Sequence, residues 1–260
     1  MIDSGEDPYS SGFSVGRVFS RAFGTIAANP LATLGIVLLF GVVPAFSYGY
    51  VMRSLPYSLL PFGPVSVARL LAGWIMAPVL TAVIAGGFVR LASAHDVGRR
   101  AGFAEAAGAG ARALLPLIVL GLVIGVGITI GVIALVVPGV LLAILWVVAA
   151  PVLVEERCDI LATLGRSREL TKGARGPIFG ILAVVFAVTT GTTYLVTTMV
   201  ARSYLGDGPP VFSPLTSQFV FAAMGAITRF ATAAINSSIY VELRNWKHGT
   251  SEDGLAEIFA

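Results

Sequence analysis

The chain has 260 residues, of which 56% are hydrophobic and only 12% charged, and its mean hydropathy is +0.88. A soluble protein of that length needs far more charge to cover its surface, so the composition excludes an ordinary water-soluble domain. The net charge of +3 and isoelectric point near 9.2 are better explained by membrane topology than by a nucleic-acid partner, because the basic residues gather in particular segments.

In chain order, residues 1–12 are polar and place Asp3, Glu6 and Asp7 where a cleavable signal peptide needs basic residues. Residues 13–28 are expected to form an interfacial amphipathic helix. Phe13, Val18, Phe19, Ala22, Phe23 and Ile26 fall near helical spacing, with Arg17 and Arg21 mostly off that stripe. A bilayer core about 30 Å thick needs roughly 20 apolar helical residues. Residues 22–52 carry no charge, which predicts a first span over 30–50 and leaves a second over 67–91. An Ala/Gly-rich segment, 101–112, follows as a second interfacial helix with little amphipathic contrast. Residues 113–154 then run 42 positions without a charged side chain, and Pro138-Gly139 is the turn signal near their middle. That tract reads as a membrane hairpin with spans over 114–137 and 140–154, the latter short. A third interfacial helix is expected over 157–173, where Ile160, Leu161, Leu164 and Leu170 alternate with charged residues. Spans over 177–201 and 215–240 and a cytoplasmic tail over 244–260 complete a single polytopic domain, 1–260.

Backbone groups in hydrocarbon must bond within their own segment, so the spans are helices. The expected fold is an all-α integral membrane protein with six transmembrane helices, arranged as three hairpins. Each hairpin is preceded by a cytoplasmic interfacial helix. Ser20 and Ser167 each stand ten residues before a proline, Pro30 and Pro177, which supports an internally repeated unit. Of the 17 basic residues, 13 fall on one side of this threading and three (Arg53, Arg69 and Arg202) on the other, with Arg229 inside the last span. Lys and Arg are retained on the cytoplasmic side. Both termini are therefore expected in the cytoplasm, with the spans in a bacterial inner membrane.

The stretch 146–173 reads WVVAAPVLVEERCDILATLGRSRELTKG. It resembles a pattern in a bacterial integral-membrane family that forms the membrane domain of some glycerophosphodiester phosphodiesterases or stands alone, as in YciC-like proteins. The matching positions are Pro138-Gly139, Trp146, Pro151, Val152, Glu155, Leu164, Arg166, Ser167, Leu170, Thr171 and Gly173, with Thr163 a departure from the usual alanine. Tyr240-Val241-Glu242-Leu243-Arg244 and Gly249 look like the family's closing segment. The resemblance implies a six-span fold, and with no soluble phosphodiesterase segment after Ala260 it does not carry hydrolysis over to this chain.

Arg229 is the sharpest single candidate, because an Arg at the centre of a span costs about 2.5–3.5 kcal/mol to insert and needs compensation. Thr189, Thr190, Thr192 and Thr193 of the fifth span lie at similar depth, and Thr232 and Asn236 follow Arg229 on the sixth. Thr189, Thr190, Thr193, Thr232 and Asn236 with Arg229 therefore form a candidate polar or anion site. The first reading is an internal bond holding the last two spans together, and the alternative is a bound anion. Arg157, Arg166, Arg168, Lys172 and Arg175 form a candidate headgroup-facing basic helix, worth about 1 kcal/mol per charge against an anionic leaflet. Glu155 and Glu156 are placed to pair with Arg166 or Arg168. Gly121-xxx-Gly125 and Gly127-xxx-Gly131 permit close helix approach, within the chain or in a homo-oligomer.

The single cysteine, Cys158, excludes a disulfide framework, and His95 and His248 stand far apart, so neither a metal nor another cofactor is expected. No phosphate loop, zinc-protease motif or dinucleotide fingerprint occurs, which points away from an enzyme. The expected function is non-catalytic and lipid-associated, organising or supporting membrane components, with membrane lipids or another membrane protein as partner. The alternative is a transporter of a small anionic or lipidic solute using the site around Arg229.

Overall fold

The computed structural model describes residues 12–54, 64–96, 99, 102–205 and 212–259; the signal-peptide argument on 1–11 and the start of the 101–112 segment lie outside them. The described residues are helical, with no strand among them. In chain order the helices are α1 (Val15–Ala28), α2 (Pro30–Ser54), α3 (Pro64–Asp96), α4 (Phe103–Arg112), α5 (Leu114–Ala134), α6 (Val136–Glu156), α7 (Ile160–Leu170), α8 (Arg175–Leu205) and α9 (Pro214–Phe259). Five of them, α2, α5, α6, α8 and α9, are long and apolar enough to cross a membrane. The expected second span falls in α3, which is 33 residues long but counts among the shorter apolar helices, through Val79–His95. The segment 244–260, expected as a tail, continues α9 as helix to Phe259.

The three short helices α1, α4 and α7 stand where interfacial helices are expected. The middle one is better built than its composition implies. Its Ala/Gly face lies so close to α3 that a side-chain carbon at Gly86 would sit 2.8 Å from the Cα of Gly110, and one at Gly110 would sit 2.7 Å from the Val83 carbonyl oxygen. Small residues there supply proximity in place of bulk. Ala106 is fully buried and Phe103 stacks beside Phe40 at 6.0 Å.

Pro138-Gly139 does not make the turn between α5 and α6. The break is a single extended residue, Leu135, at φ −166° and ψ 141°. Pro138 is the third residue of α6, in the first helical turn where its missing N–H goes unused. Gly139 lets α6 press on Gly131, whose added side-chain carbon would lie 2.9 Å from Gly139. Gly127 makes room for the Trp146 ring, while Gly121 and Gly125 have nothing within 4 Å. Only the second Gly-xxx-Gly pair is therefore used in packing within the chain.

α6 is interrupted by a turn over 146–148. Ala149 donates its N–H to the Trp146 carbonyl at 3.1 Å, so the Leu145 carbonyl loses its helical donor. Ser167 of α7 replaces it, donating Oγ–H to Leu145 at 2.8 Å. Thr163 and Ser167 on α7 and Thr171 just past its end are all fully buried. The chain enters α7 through Arg157, which has a left-handed backbone at φ 50°, and through the Asp159 cap on the Leu161 N–H at 3.4 Å. It leaves through Gly173 at φ 96°, where a side-chain carbon would lie 3.1 Å from the Trp246 ring.

Two sets of contacts fix which helix ends meet. Ser93 Oγ donates to Glu155 at 2.6 Å and the Tyr240 hydroxyl to Glu156 at 3.3 Å, joining the carboxyl ends of α3 and α6 to α9 near residue 240. Arg53 donates to the Pro214 carbonyl at 2.9 Å and Tyr204 shares a hydrogen bond with Ser217 at 2.8 Å, joining the ends of α2 and α8 to the start of α9. Along α9 the two sets are about 40 Å apart at 1.5 Å per residue. On the long apolar helices Ile133, Phe186 and Leu115 are 80%, 70% and 73% exposed. So much exposed apolar surface is unsustainable in water, and this is the surface of a membrane protein.

Ser167→Ala removes the replacement donor for the Leu145 carbonyl and should destabilise the protein by about 1–3 kcal/mol. Ser203→Ala, whose hydroxyl among the described residues bonds only to Val200 of its own helix, should change little. Thermal unfolding of both variants in one detergent checks the difference.

Candidate functional site

Arg229 lies on α9, 15 residues beyond Pro214 and so about 22 Å along the helix from its start. Its guanidinium folds back along the helix over Gly225, where an added side-chain carbon would sit 2.9 Å from Nη1. It borders a cavity of 580 Å³ whose walls come from α2 (Ala45, Gly49, Arg53), α8 (Val200, Tyr204) and α9. Next to it, α2 crosses α9 where a side-chain carbon at Gly41 would meet Ala226 at 2.5 Å. Phe230 stacks edge-on against Phe88 at 5.1 Å. With Ile84, Ala233 and Ala234 these rings fill the interior on the far side of Arg229.

The structure does not bring the α8 threonines to Arg229. Thr189 is half-buried and donates to Val185, while the exposed Thr193 donates to Thr189, both within α8; Thr190 is exposed. Thr232 likewise donates to the Thr228 carbonyl of its own helix, and Asn236 is half-buried about two turns beyond Arg229 on α9. Hydroxyls that satisfy themselves on their own backbone need no ligand. The residues that do join Arg229 around the cavity are Arg53, Tyr204, Ser217 and Gln218. Their signal in the sequence is their place at the span ends on the same side, where Arg53 is one of the few basic residues.

The second cluster is at the arginine-rich end. Glu242 is fully buried, accepts from Arg17 Nε at 2.6 Å and lies 3.7 Å from Arg21 Nη2, so both arginines of α1 reach one carboxylate of α9. The Ser14 N–H also points at it at 3.4 Å, and Arg17 further bonds the Gly12 carbonyl. On α4, Glu105 accepts from Arg99 and from Arg90, with Arg90 Nη2 at 2.6 Å. Hydrogen bonds from Arg99 and then Arg90 hold the Glu105 carboxyl down to about 2, against an ordinary 4.5. On α7, Arg166 pairs with Glu156 at 3.2 Å. Arg157, Arg168, Lys172 and Arg175 are exposed. Of the two expected acids, Glu156 pairs with Arg166, while Glu155 turns inward to Ser93.

Comparison of the chain with family models, curated proteins and solved structures finds no match in any of the three. The likeness to the membrane-domain family therefore rests on the stretch 146–173, Pro138-Gly139 and the closing segment around Tyr240–Arg244 alone.

Breaking a buried ion pair by removing one partner costs about 3–5 kcal/mol. Glu242→Ala should therefore release α1, seen as faster amide exchange over Val15–Ala28 with α7 unchanged. For Glu105 the sign follows from its lowered value. Its contribution is complete above pH 4.5 and is lost as pH falls through about 2. Exchange in α4 should therefore be the same at pH 6 and pH 5 after correction for intrinsic rates, and Glu105→Gln should raise it at both.

Proposed function

We propose that this chain is a non-catalytic, lipid-associated protein of a bacterial inner membrane that organises or supports other membrane components. In this reading α3 also crosses the membrane, as the second of six spans, both termini are cytoplasmic, and each short helix with the two long helices after it forms one repeated unit. The observation that carries it is the belt of ion pairs at the arginine-rich end. Arg17 with Glu242, Arg90 with Glu105 and Arg166 with Glu156 tie α1, α4 and α7 to the ends of long apolar helices. A belt at the ends of the spans lies at headgroup level. Arg157, Arg168, Lys172 and Arg175 remain exposed on it, each worth about 1 kcal/mol toward an anionic inner leaflet. A belt of this kind fixes the distance between protein and leaflet and gives a second membrane protein a rigid surface to bind. The likeness of 146–173 to stand-alone members of the membrane-domain family agrees with this role.

Transport of a small anionic or lipidic solute is the second reading, favoured by the cavity that reaches Arg229 from the opposite end. Two features weigh against it. The α8 threonines do not line the cavity, and the Gly41–Ala226 and Phe88–Phe230 contacts fill the far side of the site.

Native mass spectrometry of detergent-purified protein tests the first reading. Wild type should retain anionic phospholipid, and the combined change Arg168→Ala, Lys172→Ala and Arg175→Ala should reduce retention several-fold. Equal retention would remove the leaflet-facing role. In proteoliposomes the wild-type protein should leave the transbilayer movement of a labelled anionic lipid at its protein-free rate; acceleration would favour transport.

A further inference from the structure

We infer that the slot between α2, α8 and α9 binds one anionic amphiphile, its carboxylate or phosphate paired with Arg229 and its chain lying between α2 and α8. The inference rests on the membrane reading above and deepens it by naming a ligand class and a second, separate contact with lipid.

Four observations carry it. First, Arg229 has no carboxylate partner among the described residues and lies deep along a helix that crosses the bilayer. An unpaired charge at that depth is costly, and a bound anion removes the cost. Second, the polar groups sharing its cavity are already engaged. Arg53 holds the Pro214 carbonyl, Gln218 holds the Phe46 carbonyl at 2.6 Å, and Tyr204 and Ser217 hold each other. Arg229 is the member of this group with no hydrogen bond among the described residues.

Third, space is kept open around the guanidinium. Gly225 has no side chain where one would displace Nη1, and the adjoining cavity of 580 Å³ is of the size that takes one drug-sized molecule. α2 and α8 each pack on α9 with hardly any contact between them, so the space is a slot floored by α9. The α2 wall follows directly on the π-helical turn Val37–Val42, a distortion that recurs at functional sites.

Fourth, the remaining walls are apolar, from Ala45, Val200, Phe221 and Ala222. A bare inorganic anion makes no use of these apolar walls, whereas an amphiphile sets its chain against them. An amphiphile arrives with its chain already dissolved in the bilayer, and the slot replaces lipid around that chain at little cost. This argument selects an amphiphile over a bare ion.

The test uses the full chain, delipidated in neutral detergent, with palmitate and dodecyl phosphate as probes and hexadecanol and inorganic phosphate as controls. Native mass spectrometry should detect one palmitate or one dodecyl phosphate on the wild type, with hexadecanol bound about tenfold or more weakly. Inorganic phosphate should not displace either probe. Arg229→Gln should weaken binding about tenfold or more, and Arg229→Lys less. Gly225→Ala keeps the charge but moves the guanidinium, and should also weaken binding, which keeps the test decisive if Arg229→Gln does not fold. Equal binding of palmitate and hexadecanol, wild-type affinity in Gly225→Ala and Arg229→Gln, or displacement by inorganic phosphate would each overturn the inference. The variant lacking Arg168, Lys172 and Arg175 should bind palmitate normally. Failure at Arg229 is thereby distinguished from failure of the leaflet-facing belt.

Discussion

A carboxylate withdrawn from solvent organises one whole end of this molecule. Glu242 sits on the longest helix, and both arginines of α1 converge on it. Burial of a charge is tolerated only when it is paired and hydrogen-bonded, so α1 cannot drift from α9 without stranding that carboxylate. The same segment of α9 carries Tyr240, which reaches Glu156, and Glu156 in turn holds Arg166 of α7. Through this chain of contacts the first and third short helices are referred to a single helix. The middle one is fixed differently, by the close backbone crossing at Gly86 and Gly110 and by the Glu105 pairs.

The interruption of α6 shows why the 146–173 stretch has its particular residues. A helix broken at 146–148 leaves a carbonyl without a donor, and a bare carbonyl is costly in an apolar setting. Ser167 supplies the donor, and it can do so only because α7 folds back against the break. That return needs a reversal after Glu156, taken at the left-handed Arg157, and an exit at Gly173 that clears Trp246. The small buried residues Thr163, Ser167 and Thr171 allow α7 to come close. Most of the motif is thus an apparatus for breaking a span and repairing the damage.

The long apolar tracts and the three short helices were legible because charge-free length and helical spacing are properties of composition. The turn at Leu135 was not, since a proline and a glycine mark a turn and the first turn of a packed helix equally well. Depth could be read for the α8 threonines, but direction could not: Thr189 and Thr193 bond to their own backbone, so nothing in their spacing tells which way they face. In the sequence Glu242 stands just after the last apolar stretch, where a carboxylate is ordinarily solvated. Its burial depends on α1, more than 200 positions earlier, returning to cover it. Arg229 itself was visible, as a charge inside a span always is, whereas its neighbours Arg53, Tyr204 and Gln218 meet only in the folded chain.

The account depends most on the arginine-rich belt and the Arg53–Pro214 end lying on opposite faces of a membrane. Single cysteines introduced as Ser54→Cys, Ser213→Cys and Lys172→Cys in a Cys158→Ser background test this directly. A membrane-impermeant maleimide applied to intact spheroplasts should label the first two and reach the third only after lysis. Labelling of all three from the same side would contradict the account.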